Sequence, residues 1–335
     1  MPAVMWIRRS RLSVETQGMV EPQNSSASIM TGALDDASAG DSLSARGASS
    51  RAGEPKSLAE RRVKVIGPPS FSPATIVSGL RTLLHYPDLL YTLCVFRLNV
   101  RYKQSVLGWA WAVLQPLALM GIYTLIFAHV TTVKTGGVPY PIFVFAALLP
   151  WIFFSNSVSS AVHGLVTYPG LLTKMYFPRE IIPLSYLAAG LADFFIAAII
   201  LAGLMVYYGV SLTWNSLYAL PILVLFGGFA AAIALFFSAV HVRFRDVGLA
   251  MPFVLQIWMF ATPVVYSLQS VPLRFRKLYL FDPLAGLIEN FRRVVIFGAK
   301  PDTASLAWSA AMTIASLTIA YAYFKSSEAT MADVI

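Results

Sequence analysis

The chain has 335 residues, 57% hydrophobic and 12% charged, against about a quarter charged in ordinary soluble domains. Its formal net charge of +9 does not mark a nucleic-acid partner, because the basic residues flank apolar runs, where the positive-inside rule and anionic headgroups account for them. One cysteine, Cys94, excludes an intramolecular disulfide, and His85, His129, His163 and His241 lack ligand spacing, so no metal or redox site is expected.

Residues 1–70 are rich in Ser, Ala and Gly and show no sustained apolar periodicity. Such a stretch buries too little surface to offset the entropy of ordering, so a disordered cytoplasmic tail is expected. Arg8-Arg9 has the form of a twin-arginine signal, but the apolar region that should follow is missing from the mostly polar residues 13–42. Residues 71–103 are too charged to span a membrane and too apolar for water, with Ile76, Leu80, Leu83 and Leu84 at helical spacing. That pattern suits an amphipathic helix in the membrane interface, with a small soluble helical hairpin as the alternative.

The transmembrane region is expected over residues 104–325. A span needs about 20 apolar residues, and no Asp, Glu, Lys or Arg occurs between Lys103 and Lys134, so residues 106–130 form the first span, with Pro116 inside it. After Gly136-Gly137 a second run covers 141–162, and a third covers 181–208, interrupted by one acid, Asp193. The fourth span is 217–240, the fifth 247–273 with Pro252 and Pro263, and the sixth 303–324, leaving 326–335 as a short C-terminus. An all-α integral membrane protein of six transmembrane helices follows.

Orientation is read from Lys and Arg in the short loops. Arg97, Arg101 and Lys103 precede the first span, Lys174 and Arg179 lie in the second loop, Arg243 and Arg245 in the fourth, and Lys325 follows the last span. Both termini are therefore expected in the cytoplasm. The segment between spans five and six disagrees, since Arg274, Arg276, Lys277, Arg292, Arg293 and Lys300 fall on the outer side. Two short re-entrant helices, about 272–280 and 283–297, with their charges at the headgroups, would resolve the conflict.

Three groups of residues stand out. The loop 167–180 holds Tyr168, Pro169, Lys174, Met175, Tyr176, Phe177, Pro178, Arg179 and Glu180 between two apolar runs. Large rigid groups beside cations suit partner docking, and a plain tether is the alternative. Asp193 lies about 18 Å along its helix, where an acid serves either a structural hydrogen bond or translocation. Trp109, Pro116, Met120, Tyr123 and Phe127 share one face of the first span, and Trp258 and Tyr266 add to it from the fifth. Such a stripe suits either a carbohydrate passage or ordinary helix packing. The sequence contains no G-x-x-x-x-G-K-[ST], H-E-x-x-H or G-x-S-x-G motif. No catalytic residue is expected, and uphill work would need an external energy source.

The stretches VRYKQSVLGWAWAVLQP (100–116), GVPYPIFVFAALLPWIFFSNSV (137–158), LLTKMYFPREIIPL (171–184), VRFRDV (242–247) and LQIWMFATPVVY (255–266) occur in this order. In them the chain resembles the permease subunits of ABC-2 type polysaccharide exporters, above all those for lipid-linked O antigen, with capsule and teichoic acid exporters as relatives. The resemblance implies a homodimer joined to two ABC ATPase subunits in a bacterial inner membrane, moving a lipid-linked polysaccharide among membrane lipids. It implies no cofactor on this chain, ATP and Mg being used by the partner. It places a coupling helix within 165–180, a cytoplasmic gate near 101–108 and re-entrant helices before the last span, and it puts the first and fifth spans along the passage. Arg101, Tyr102 and Lys103 then fall where a pyrophosphate would enter, while topology alone also accounts for the two cations. Two other classes are weighed. An ion-coupled secondary transporter needs a coupling-ion site, for which only Asp193 offers itself, and a glycan-assembly enzyme needs clustered acids, which are dispersed here.

Overall fold

The computed structural model describes residues 86–103, 105–130, 135–168, 177–276, 279 and 281–334. The expected tail 1–70, residues 71–85 of the interface region, and Pro169, Lys174, Met175 and Tyr176 of the loop lie outside the described residues. All described residues belong to one unit, Val65–Ile335.

The elements are helical throughout, in the order α1 (Pro87–Tyr102), α2 (Ala110–Val130), α3 (Tyr140–Thr167), α4 (Ile181–Tyr207), a 3-10 turn (Trp214–Tyr218), α5 (Ala219–Arg243), α6 (Asp246–Ala261), a 3-10 turn (Leu268–Ser270), α7 (Leu273–Arg276), α8 (Pro283–Val295) and α9 (Thr303–Val334). No strand occurs among the described residues. With no water to satisfy backbone groups in a bilayer, helices that close their own hydrogen bonds are the expected answer. Among the described residues five helices are long and apolar enough to cross: α2, α3, α4, α5 with the turn before it, and α9.

α3 is the axis of the bundle. Of its apolar window 78% is buried, against 6% in α2, so α3 is packed by protein while α2 leaves most of its apolar surface to other surroundings. Phe145, Leu148, Phe154, Val158 and Val162 of α3 meet Phe194 and Leu201 of α4, Phe226 and Phe229 of α5 and Leu284, Leu287 and Ile288 of α8 in one core. A second cluster joins Leu165, Ile182, Leu235 and Val242 to Tyr321 and Phe324 of α9. The hairpin between α5 and α6 approaches α3 so closely at Gly248 that a Cβ there would fall 2.5 Å from His163 Cε1 and 2.6 Å from His241 Cε1.

Contacts between connections sort the ends of the helices. At one end, a Cβ on Gly136 would meet Phe297 at 3.0 Å, and Asn215 donates to the Gly298 carbonyl at 2.7 Å. At the other, Lys325 of α9 pairs with Glu180 before α4 at 3.0 Å, and Gly248 lies on His163 near the end of α3. The described connections therefore alternate between two ends of the bundle, and the stretch from α6 to α8 also runs from one end to the other.

Several expectations are corrected here. The fifth run does not continue as a helix to 273: α6 has 16 residues, about 24 Å against a hydrocarbon layer of about 30 Å, and it stops at Ala261 because Pro263 forces Thr262 into extended backbone (ψ 141°). The chain continues as a folded segment, 262–267, whose carbonyls at Pro263, Val264 and Tyr266 accept from Arg292 and at Val265 from Tyr140. Arg292 does not sit at the headgroups as expected for the re-entrant charges. It is fully buried, because α8 is amphipathic and the spacing Leu284, Ile288, Arg292, Val295 puts it on the inward face. Among the described residues of the expected helix at 272–280, Leu273–Arg276 are α-helical, and residues 277, 278 and 280 lie outside the described residues. α3 and α9 run past their expected ends, to Thr167 and Val334.

Candidate functional site

α1 begins at Pro87, whose fixed φ suits a first helical position, and carries Asp88 in its first turn and Arg101 in its last, both matching the helix dipole. It packs along α4, and two pairs of side chains join them. Arg97 and Arg101 are one turn apart on α1, while Tyr186 and Asp193 are two turns apart on α4, so each pair of residues shares a face. The Arg101 guanidinium forms an ion pair with Asp193. The Tyr102 hydroxyl donates to the second carboxylate oxygen at 2.8 Å. Burial, together with that hydrogen bond to an anion, pushes the Tyr102 hydroxyl up to about 12, so it stays protonated and donating. The Tyr102 ring stacks on Trp109 with centroids 4.6 Å apart.

One turn back, Arg97 is only 6% exposed and has no carboxylate partner among the described residues. Its guanidinium lies instead between the rings of Tyr168 and Tyr186, 4.4 Å and 4.1 Å from their centroids. Phe96 completes the arrangement edge-on to Tyr168.

Beside the Arg101–Asp193 pair opens a cavity of about 410 Å³ between α1, α2, α3 and α4. Its polar wall is Gln115 of α2 with Asn156, Ser159 and Ser160 of α3, and its apolar wall includes Trp111, Ile152, Phe153 and Phe194. Asn156, Ser159 and Ser160 follow the i, i+3, i+4 spacing that puts side chains on one helix face. Neither they nor Gln115 hydrogen-bond another protein side chain among the described residues. An apolar pocket with a few open donors and acceptors and a cation at its edge fits a hydroxylated or anionic ligand. No group of acids, histidines or cysteines able to hold a metal occurs among the described residues.

The remaining expected residues are placed as follows. Lys103 is exposed at the end of α1. Tyr168 ends α3 on Arg97, and Phe177 packs on the α9 cluster. After Pro178, Arg179 donates to the Glu328 carbonyl at 2.6 Å, and Glu180, 1% exposed, takes Lys325 at 3.0 Å and the Tyr321 hydroxyl at 3.4 Å. Both described flanks of the loop are thus tied down, one to α1 and the other to α9. Of the aromatic residues, Trp109 is 47% exposed. Tyr123 reaches the Met259 sulfur at 3.8 Å, Phe127 stacks on Tyr140, and Trp258 packs edge-on to Phe154 and Phe229. The Tyr266 hydroxyl donates to the Phe260 carbonyl at 2.9 Å and lies 2.8 Å from that of Tyr279.

The sequence reading left out Arg97 as a partner for rings, Arg292 as a buried cation, and the polar face of α3. The last two had signals: the apolar spacing of α8, and Asn156, Ser159 and Ser160 inside an uncharged span. Arg97 had none, since both of its ring partners lie far along the chain.

Comparison with known proteins agrees with this architecture. The chain is 32% identical over 260 residues to the O-antigen export system permease protein RfbA of Myxococcus xanthus, covering 76% of this chain and 98% of that protein. It is 29% identical over 214 residues to the protein of the same name from Klebsiella pneumoniae (63% and 81% covered). With the polysialic acid transport protein KpsM of Escherichia coli it shares 26% over 247 residues (70% and 91% covered). Residues 89–296, from α1 through α8, match the family described as ABC-2 type transporter, and the chain belongs to that family of membrane proteins.

Proposed function

We propose that the chain is the permease subunit of an ATP-driven exporter that moves a lipid-linked polysaccharide of the O-antigen kind across a bacterial inner membrane. The observation that carries this reading is the cavity of about 410 Å³ beside Arg101 and Asp193, a polar opening inside an apolar bundle against the last turn of α1. Relatives named for O-antigen export and polysialic acid transport support the substrate class.

In this proposal the chain works as a homodimer with two ABC ATPase subunits, both termini are cytoplasmic, and the 167–180 loop, with Tyr168, Phe177, Pro178, Arg179 and Glu180 at its flanks, is the ATPase-docking element. The chain holds no cofactor, and ATP with Mg is consumed by the partner. Arg101, Tyr102 and Lys103 meet the pyrophosphate end of the lipid carrier, a cation pair and a hydroxyl donor at headgroup level matching a phosphate anion. Trp109 has a face free to meet a sugar, whereas Tyr123, Phe127, Trp258 and Tyr266 contribute to the passage from more packed positions. An ion-coupled transporter is the weaker reading, because the acid on which it would depend, Asp193, is already neutralised by Arg101.

Copurification followed by reconstitution tests the proposal. The chain is expected to retain an ATP-hydrolysing partner, and vesicles holding both should translocate a lipid-linked glycan only with ATP. Transport by the chain alone, without an ATPase, would defeat the reading.

A further inference from the structure

We propose that Arg97 is a positioning residue that links the end of α3 to the Arg101–Asp193 pair, so that displacement of the α3–α4 connection is delivered to the cavity through α1. The inference rests on the exporter reading given above and adds to it the route by which docking reaches the gate.

A cation so well buried is costly unless compensated, and Arg97 is compensated by ring faces rather than by a carboxylate. The two faces are not equivalent. Tyr186 is wedged over Gly164, where a Cβ would fall 2.5 Å from its Cε2 and 3.3 Å from Ile182 Cγ2, so this ring is held in the α3–α4 packing. Tyr168 ends α3 and leads into the loop. One ring therefore fixes Arg97 to the bundle while the other reports the position of the loop. Arg97 and Arg101 ride on the same helix one turn apart, and a helix transmits a shift of one turn to the next nearly rigidly. A move of Tyr168 that draws on Arg97 consequently pulls Arg101 relative to Asp193 and changes the mouth of the cavity.

The test uses the full exporter complex in vesicles. Arg97→Met is expected to leave ATPase association and hydrolysis near the wild-type level while export falls about tenfold. Arg97→Lys, which keeps a cation against the two rings, should restore export in part. Nitroxide labels at exposed Thr92 of α1 and Ile199 of α4, in a Cys94→Ser background, should show a nucleotide-driven distance change in the wild-type complex that is absent in Arg97→Met. Export and distance change at wild-type size in Arg97→Met would overturn the proposal. Loss of bound ATPase from the unmutated chain would instead overturn the exporter reading beneath it.

Discussion

Asp193 lies well inside an apolar helix, where an unpaired carboxylate would be expelled or neutralised. Its counter-charge comes from outside the spans: Arg101 reaches it from the last turn of α1, and Tyr102 takes the other oxygen. Since Asp193 is 19% and Arg101 32% exposed, the pair lies between a surface and a buried bridge. Removing one partner leaves the other desolvated and alone, so Asp193→Asn is expected to lower stability by on the order of 1–3 kcal/mol. The double variant Asp193→Asn with Arg101→Gln should recover part of that loss, and thermal unfolding in detergent measures both. Additive losses would mean that the pair contributes nothing beyond its separate charges. Both residues were conspicuous in the sequence, one as an intramembrane acid and the other as a headgroup cation. Their pairing was not, because 92 positions separate them.

The break after α6 shows how the carbonyls freed at a helix end inside a membrane protein can be paired by side chains. Pro263 stops α6, and Arg292 then donates to the carbonyls of Pro263 at 2.8 Å, Val264, and Tyr266 at 3.3 Å while its plane lies 4.1 Å from the Phe143 ring centroid. Tyr140 donates to the Val265 carbonyl at 2.8 Å. Thr262 donates to Asp282 at 2.6 Å, and the same carboxylate caps α8 at Leu284 N. Burial pushes the Asp282 carboxyl above its ordinary range, with these hydrogen bonds opposing the rise. Arg292→Met would leave several buried carbonyls unpaired and should cost about 3–5 kcal/mol, seen as loss of monodisperse protein on mild heating. Arg292→Lys should rescue only partly, since an ammonium cannot span the separated carbonyls as a planar fork does. Full rescue by Lys would show that charge alone is needed there. Pro263 and the amphipathic α8 were legible in the sequence. The mutual support of the two segments was not, since which carbonyls lack partners depends on where α8 docks.

The molecule as a whole has two distinct ends, set by Lys325 on Glu180 at one and Asn215 on Gly298 at the other. Single cysteines at Lys300 and Ser326, in a Cys94→Ser background, are therefore expected to react with an impermeant maleimide from opposite sides of the membrane, position 326 from the cytoplasm. Labelling of both from one side would remove the six-crossing arrangement. The same two ends bear on stability, because the Glu180–Lys325 pair joins the start of α4 to α9.

Membrane class and five long apolar helices were already legible in the sequence, because a run of apolar residues longer than the bilayer is thick is a local property of composition. The family motifs likewise sit in short continuous stretches. Which charges neutralise one another, where the cavity opens, and how α6 ends were settled only by folding. Each depends on side chains brought from distant segments into contact, and desolvation makes the energy of a polar group depend on those neighbours far more than on its own place in the chain.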